Sequence, residues 1–108
     1  MIYLVTTITK FKKNEEYGWY DIDGERLVGY FNSYEKAKEC VVNNNCDIYE
    51  GIYKYATIEG IEDGLYPKVG VQELYEIIDA RDVGLEPYYS KIDASDGFFS
   101  KNYSRNIG

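Results

Sequence analysis

Hydrophobic and polar positions alternate over the first residues of the chain. Ile2, Leu4, Thr6 and Ile8 fall on one side of an extended backbone, Tyr3, Val5, Thr7 and Thr9 on the other, and β-branched residues dominate. The pattern predicts a strand over Ile2–Phe11. A charged loop, KKNEE, follows at Lys12–Glu16. Tyr17–Asp23 carries aromatic residues and extends a hairpin whose turn signal is Asp23-Gly24. Glu25–Phe31 reads as a second strand, antiparallel to the first.

The period then changes. Tyr34, Ala37, Cys40 and Val41 recur at helical spacing, while Lys36, Lys38 and Glu39 fall between them. A helix here would turn the first set to a sheet and the second to water. Asn32 is the expected N-cap, with Glu35 three residues on in a capping-box arrangement. Asn43-Asn44-Asn45 marks the stop, because asparagine tolerates the left-handed conformation that ends helices. Tyr53, Tyr55, Thr57 and Ile58 predict a third strand over Ile52–Ile61. Glu62-Asp63-Gly64 then forms a turn closed by Tyr66-Pro67.

Val71–Asp79 answers to two patterns. Val71, Leu74, Tyr75 and Ile78 match the spacing of a helix face, and spacing by itself favours a short helix. The same segment is rich in strand formers. Asp82–Gly84 supplies a turn and Leu85–Lys91 a partner strand. Ile92–Gly108 is polar, an irregular tail expected to dock through Phe98, Phe99, Tyr103 and Ile107. The elements sum to a single α+β domain over residues 1–108. It is an antiparallel sheet of about five strands with one helix packed on one face, in the order β-β-α-β-β-β.

Composition removes several kinds of chemistry. The chain has no histidine, so Ser–His and Cys–His nucleophile pairs are unavailable. Its two cysteines, Cys40 and Cys46, match no zinc or redox spacing and read as reduced thiols, with Cys40 partly buried. Asp21-Ile22-Asp23-Gly24 resembles the start of a calcium loop but lacks the later ligands, so a turn is expected and no metal site. No phosphate-binding glycine motif is present and no cofactor is expected. The carboxylate groups Asp21/Asp23, Glu15/Glu16, Glu59/Glu62/Asp63 and Glu73/Glu76 read as solvated charge, and the chain as no enzyme. A net charge of −7 argues against duplex nucleic acid and anionic membranes as partners and for a basic one. The start, MIYLVTTITK, carries neither a basic leader nor a long apolar run, which places the protein in the cytoplasm.

Three runs carry a resemblance. Arg26–Lys38 (RLVGYFNSYEKAK), Val42–Glu50 (VNNNCDIYE) and Tyr53–Pro67 (YKYATIEGIEDGLYP) resemble a group of small proteins from Firmicutes and their phages. In similar chains the region after Pro67 is a two-stranded hairpin, so the resemblance implies a strand, not a helix, at Val71–Asp79. It also implies a phage or mobile-element origin. It transfers no catalytic residue.

The remaining signal is aromatic: 13 tyrosines, Trp19 and four phenylalanines. A domain of this size cannot bury them all with their hydroxyls satisfied. Trp19, Tyr20, Tyr53, Tyr55, Tyr88 and Tyr89 are therefore expected to present rings for a ligand, with Lys101 and Arg105 supplying charge. The first expectation is a non-enzymatic phage anti-defence sponge that sequesters a nucleotide-derived immune signal by stacking. The alternative is an acidic protein–protein inhibitor of a host nuclease or defence complex. A homo-oligomer, formed through exposed strand edges or aromatic patches, is expected under either reading.

Overall fold

The computed structural model describes residues 1–13, 16, 20–44, 53–63, 69–79 and 81–92. Seven strands and one α-helix occur among them. They are β1 (Ile2–Ile8), β2 (Lys10–Lys13), β3 (Tyr20–Asp23), β4 (Arg26–Phe31), α1 (Tyr34–Val42), β5 (Tyr55–Ile61), β6 (Val69–Ile78) and β7 (Tyr88–Ile92). Five strands form one sheet in the order β4-β1-β5-β6-β7, antiparallel at every step. With β2 and β3 set aside as an inserted ribbon, this is the expected β-β-α-β-β-β arrangement. The expected docking of the tail through Phe98, Phe99, Tyr103 and Ile107, the Tyr66-Pro67 turn and Cys46 lie outside the described residues.

The ribbon continues the β1–β4 pair. Thr7 pairs with Arg26, the ladder breaks at Thr9 and Gly24, and it resumes with Lys10 opposite Asp23. Gly24 makes the break feasible. Its φ is +73°, and a Cβ there would collide with the side chain of Thr9, so no other residue suits the position. The Asp21-Ile22-Asp23-Gly24 run is thus a strand end and a turn.

Helix α1 begins one residue later than the capping pattern predicts. Ser33, not Asn32, is the N-cap, with extended backbone (φ −134°, ψ 128°) and a hydroxyl that accepts from the Lys36 N–H at 3.4 Å. Ser33 wins because its carbonyl already accepts the first helical bond, from Ala37 at 3.2 Å. Glu35 sits in the first turn, where the helix dipole favours a negative charge. The stop is as expected: Asn43 caps the end, and Asn44 adopts the left-handed φ of 51°.

The helix covers one face of the sheet. Ala37 and Val41 pack on Val5, Ala56, Ile58, Tyr75 and Tyr89, with Tyr3, Phe31, Tyr34, Cys40, Val42 and Ile77 around them. Each fully buried aliphatic side chain contributes about 1.5–3 kcal/mol. The opposite face is buried too. Leu4, Thr6 and Ile8 of β1, Thr57 and Glu59 of β5 and Leu74 of β6 are all under 9% exposed there. Central strands with two buried faces lose their alternation. This is why Leu74 and Tyr75, neighbours on opposite faces of β6, are both buried, and why the segment imitates a helix by spacing. The strand implied by the resemblance is the conformation observed.

Gly60 shows how tightly the helix-side face is packed. It lies opposite Tyr3, and a Cβ on it would come 2.9 Å from the Tyr3 ring. Tyr3 in turn meets Tyr34 edge to face, with ring centroids 5.7 Å apart. Glycine in mid-strand is thus the seat for an aromatic ring that braces the first turn of α1.

Candidate functional site

The one dense polar cluster among the described residues lies where α1 crosses β6 and β7. Its centre is Glu73 on β6. Alternation along β6 places Glu73, Tyr75 and Ile77 on the helix side, and the register puts Lys91 of β7 beside Tyr75. The Tyr34 hydroxyl donates to both carboxylate oxygens, at 2.8 and 2.9 Å. The Tyr75 hydroxyl donates to Oε1 at 2.9 Å, and Lys91 Nζ donates to Oε2 at 3.0 Å. One carboxylate therefore fastens the helix, the central sheet and the edge strand.

The electrostatics follow from that geometry. Burial alone would raise the Glu73 carboxyl, but the hydrogen bonds from Tyr34, Lys91 and Tyr75 outweigh it and hold it below the usual carboxylate range. Burial, then the hydrogen bond to Glu73 and its charge, push the Tyr75 hydroxyl well above the ordinary tyrosine value. Tyr34 is raised for the same reasons in the same order. These shifts favour an ionised Glu73 carboxylate beside two intact phenols. Three donors converge on the carboxylate, the single Tyr34 hydroxyl hydrogen being shared between its two oxygens. Such an arrangement fixes structure, and it offers no group that titrates near neutral pH for proton transfer.

The expected binding residues separate. Tyr53 and Tyr89 are buried, and the Tyr89 hydroxyl donates to the Tyr53 carbonyl at 3.0 Å. Those two rings are core, and neither presents a face to a base. Tyr55 is half-buried on the helix-free face, where burial and then the charge of Glu76 raise its hydroxyl. Tyr88 is 38% exposed on the same face at the edge. Tyr20 lies in β3, and Trp19, Lys101 and Arg105 lie outside the described residues. Of the expected carboxylate groups, Glu73 and Glu76 lie on opposite faces of β6 and cannot act as a pair, and Glu59 is buried in β5 opposite Leu4.

Two surfaces near the helix and the β6–β7 connection stand out among the described residues. A shallow groove of about 280 Å³ runs along the outer side of α1, lined by Glu35, Lys38, Glu39, Val42 and Asn43. Its charges are mixed and its one apolar wall is Val42. The β6–β7 connection is different. Val83 and Leu85 are 71% and 53% exposed, and Tyr88 adjoins them. Here Arg81 binds Asp79 through two side-chain hydrogen bonds at 2.9 and 2.7 Å, and the Gly84 N–H donates to the Arg81 carbonyl at 3.1 Å. Gly84 has φ +85° and turns the chain back toward β7.

Of these residues only Tyr88 was marked in the sequence as a binding residue. The Glu73 cluster had one usable signal, since a strand at Val71–Asp79 puts Glu73 on the face of Tyr75. No known protein family, curated protein or solved structure matches the chain. Among the described residues no group of acidic or cysteine side chains could hold a metal ion, and no helix is long and apolar enough to cross a membrane.

Proposed function

We propose that the chain is an acidic, non-enzymatic protein-binding module whose contact element is the β6–β7 turn. The observation that carries this reading is the exposure of Val83, Leu85 and Tyr88 on a turn braced by the Arg81–Asp79 pair. Exposed apolar side chains held by local hydrogen bonds are suited to serve as interface anchors. Asp79, Asp82 and Glu86 stand against Arg81 and Lys54 around the turn, a small acidic excess on an acidic chain. The fitting partner has an apolar pocket with a basic rim. Set beside the resemblance to phage-encoded chains, this supports an inhibitor of a basic host nuclease or defence complex.

The test is affinity capture from host lysate with the wild-type chain and with the Val83→Ser/Leu85→Ser double variant. A protein retained by the first and depleted at least about tenfold by the second supports the reading, since two anchor contacts are worth more than that factor. Equal recovery by both, or nothing above background, sinks it. A nucleotide-signal sponge keeps some support from Tyr55 and Tyr88, which share the helix-free face. Calorimetry against cyclic nucleotides and ADP-ribose derivatives discriminates: binding heat that Tyr88→Ala abolishes would favour the sponge.

A further inference from the structure

Among the described residues, β4 has a strand neighbour on one side only. Leu27, Val28 and Tyr30 of this strand are 48%, 40% and 70% exposed, and Arg26 is its one charged residue. Exposed edges are ordinarily guarded by lysine, proline or an inward-pointing charge. β4 has none of these and carries only a bulge. The register gives the bulge's position: Val5 pairs with Gly29 and Thr6 with Leu27, which leaves Val28 as the extra residue. The bulge changes which residues share a face. Tyr30 lies opposite Leu4 and Leu27 opposite Thr6, both on the helix-free face, although they are three positions apart.

We infer that two copies of the chain pair through β4, antiparallel, about a twofold axis at Gly29, which joins the two sheets into one of ten strands. An axis perpendicular to the sheet keeps every residue on its own face, so opposed residues must share a face. With Val28 bulged, the register centred on Gly29 satisfies this along the strand. Tyr30 of each copy faces the partner's Leu27, with the bulged Val28 beside it. On the helix side Arg26 faces the partner's Phe31, an arrangement that suits a guanidinium and a ring. Gly29 at the axis has room, because a Cβ built on it meets nothing within 4 Å.

Self-complementarity favours a second copy at this edge: the register lets Leu27 and Tyr30 of each copy cover the partner's Tyr30 and Leu27. The two arginines would lie about 13 Å apart, four strand positions at about 3.3 Å each, beyond a screening length of about 8–10 Å. The other edge is unsuited to the same pairing, since Lys91 lies within β7 and Pro87 precedes it. The seam is short beside the roughly 800 Å² per partner of a standard interface, so dissociation on the order of micromolar is expected.

Light scattering after size exclusion, over a concentration series of the full chain, tests this. The expected mass approaches twice the 12.5 kDa of one chain as concentration rises. Leu27→Lys and Tyr30→Lys, placed at exposed positions, should each raise the dissociation midpoint at least tenfold while the circular dichroism spectrum stays that of the wild type. Gly29→Cys should form a disulfide between copies on mild oxidation, mapped to that position by mass spectrometry, because directly opposed residues lie about 4.5–5.5 Å apart between Cα atoms. A chain that stays at 12.5 kDa up to about 1 mM, well above the micromolar range expected for the seam, overturns the inference. So does a dimer that neither lysine variant weakens, or one in which Gly29→Cys fails to cross-link.

Discussion

β4 and β7 close the two sides of the same sheet, yet they are held in opposite ways. β7 is fastened from within. Lys91 reaches back to Glu73, and Tyr89 is fully buried with its hydroxyl on the Tyr53 carbonyl. β4 is held by its ladder to β1 and by Phe31 against the core, and its remaining large side chains face water. The β7 side carries the internal side-chain ties, and its exposed apolar residues gather at the turn that enters it, whereas those of β4 lie along the strand itself.

The contrast can be broken most severely at Glu73. Glu73→Ala leaves the buried Tyr75 phenol and the half-buried Tyr34 phenol without their acceptor and is expected to cost about 2–3 kcal/mol in urea unfolding. A loss under about 1 kcal/mol would mean that the cluster does not hold β7. The same site sets the pH response. Glu73 has a depressed folded value, so its contribution is fully present above the unfolded carboxyl range and is lost as pH falls through the folded value. Tyr75 is raised, so its contribution is present below the unfolded tyrosine value and is lost as pH climbs beyond it. Unfolding midpoints should therefore fall at both acid and alkaline extremes. Glu73→Gln should flatten the acid limb, and an unchanged acid limb would show that other carboxylates set it.

Tyr89→Phe comes next, at about 1–2 kcal/mol, because it strands the buried Tyr53 carbonyl. Lys91→Ala should cost no more than about 0.5 kcal/mol, since the lysine is 58% exposed and its attraction is screened. On the other edge Tyr30→Ser should change monomer stability by less than about 0.5 kcal/mol, the usual range for a surface substitution. A Tyr30→Ser loss equal to that of Tyr89→Phe would erase the distinction between the edges.

Much of the architecture is legible in the residues. The alternation of Ile2–Ile8, the Asn43-Asn44 stop and the helical period of Tyr34, Ala37 and Val41 are local signals, and each marks an element of the structure. The capping position was displaced by one because Asn32 and Ser33 are both good caps and only the backbone decides between them. β6 was obscured because burial on both faces hides the two-residue period. The cluster was less legible still. Whether Glu73 is solvated depends on Tyr34 and Lys91, 39 and 18 residues away. Tyr88 and Tyr89 make the same point in two adjacent letters: one is exposed and the other fully buried. A local cluster of tyrosines says nothing of exposure until each strand's faces are known.

The strand order has a kinetic consequence. β5, β6 and β7 are consecutive in sequence and adjacent in space, and β1 with β4 forms a second, closer-range pair. One ladder, Ile2–Ile8 against Tyr55–Ile61, joins the two halves, with α1 laid across both. Contacts distant in sequence are slow to close because chain entropy must be lost before they form. The hypothesis is that each half assembles early and the barrier is crossed when this seam zips shut. Val5→Ala and Ile58→Val should then slow refolding, whereas Tyr89→Phe should mainly speed unfolding. The reverse partition, read from stopped-flow chevrons, would place the barrier within a half.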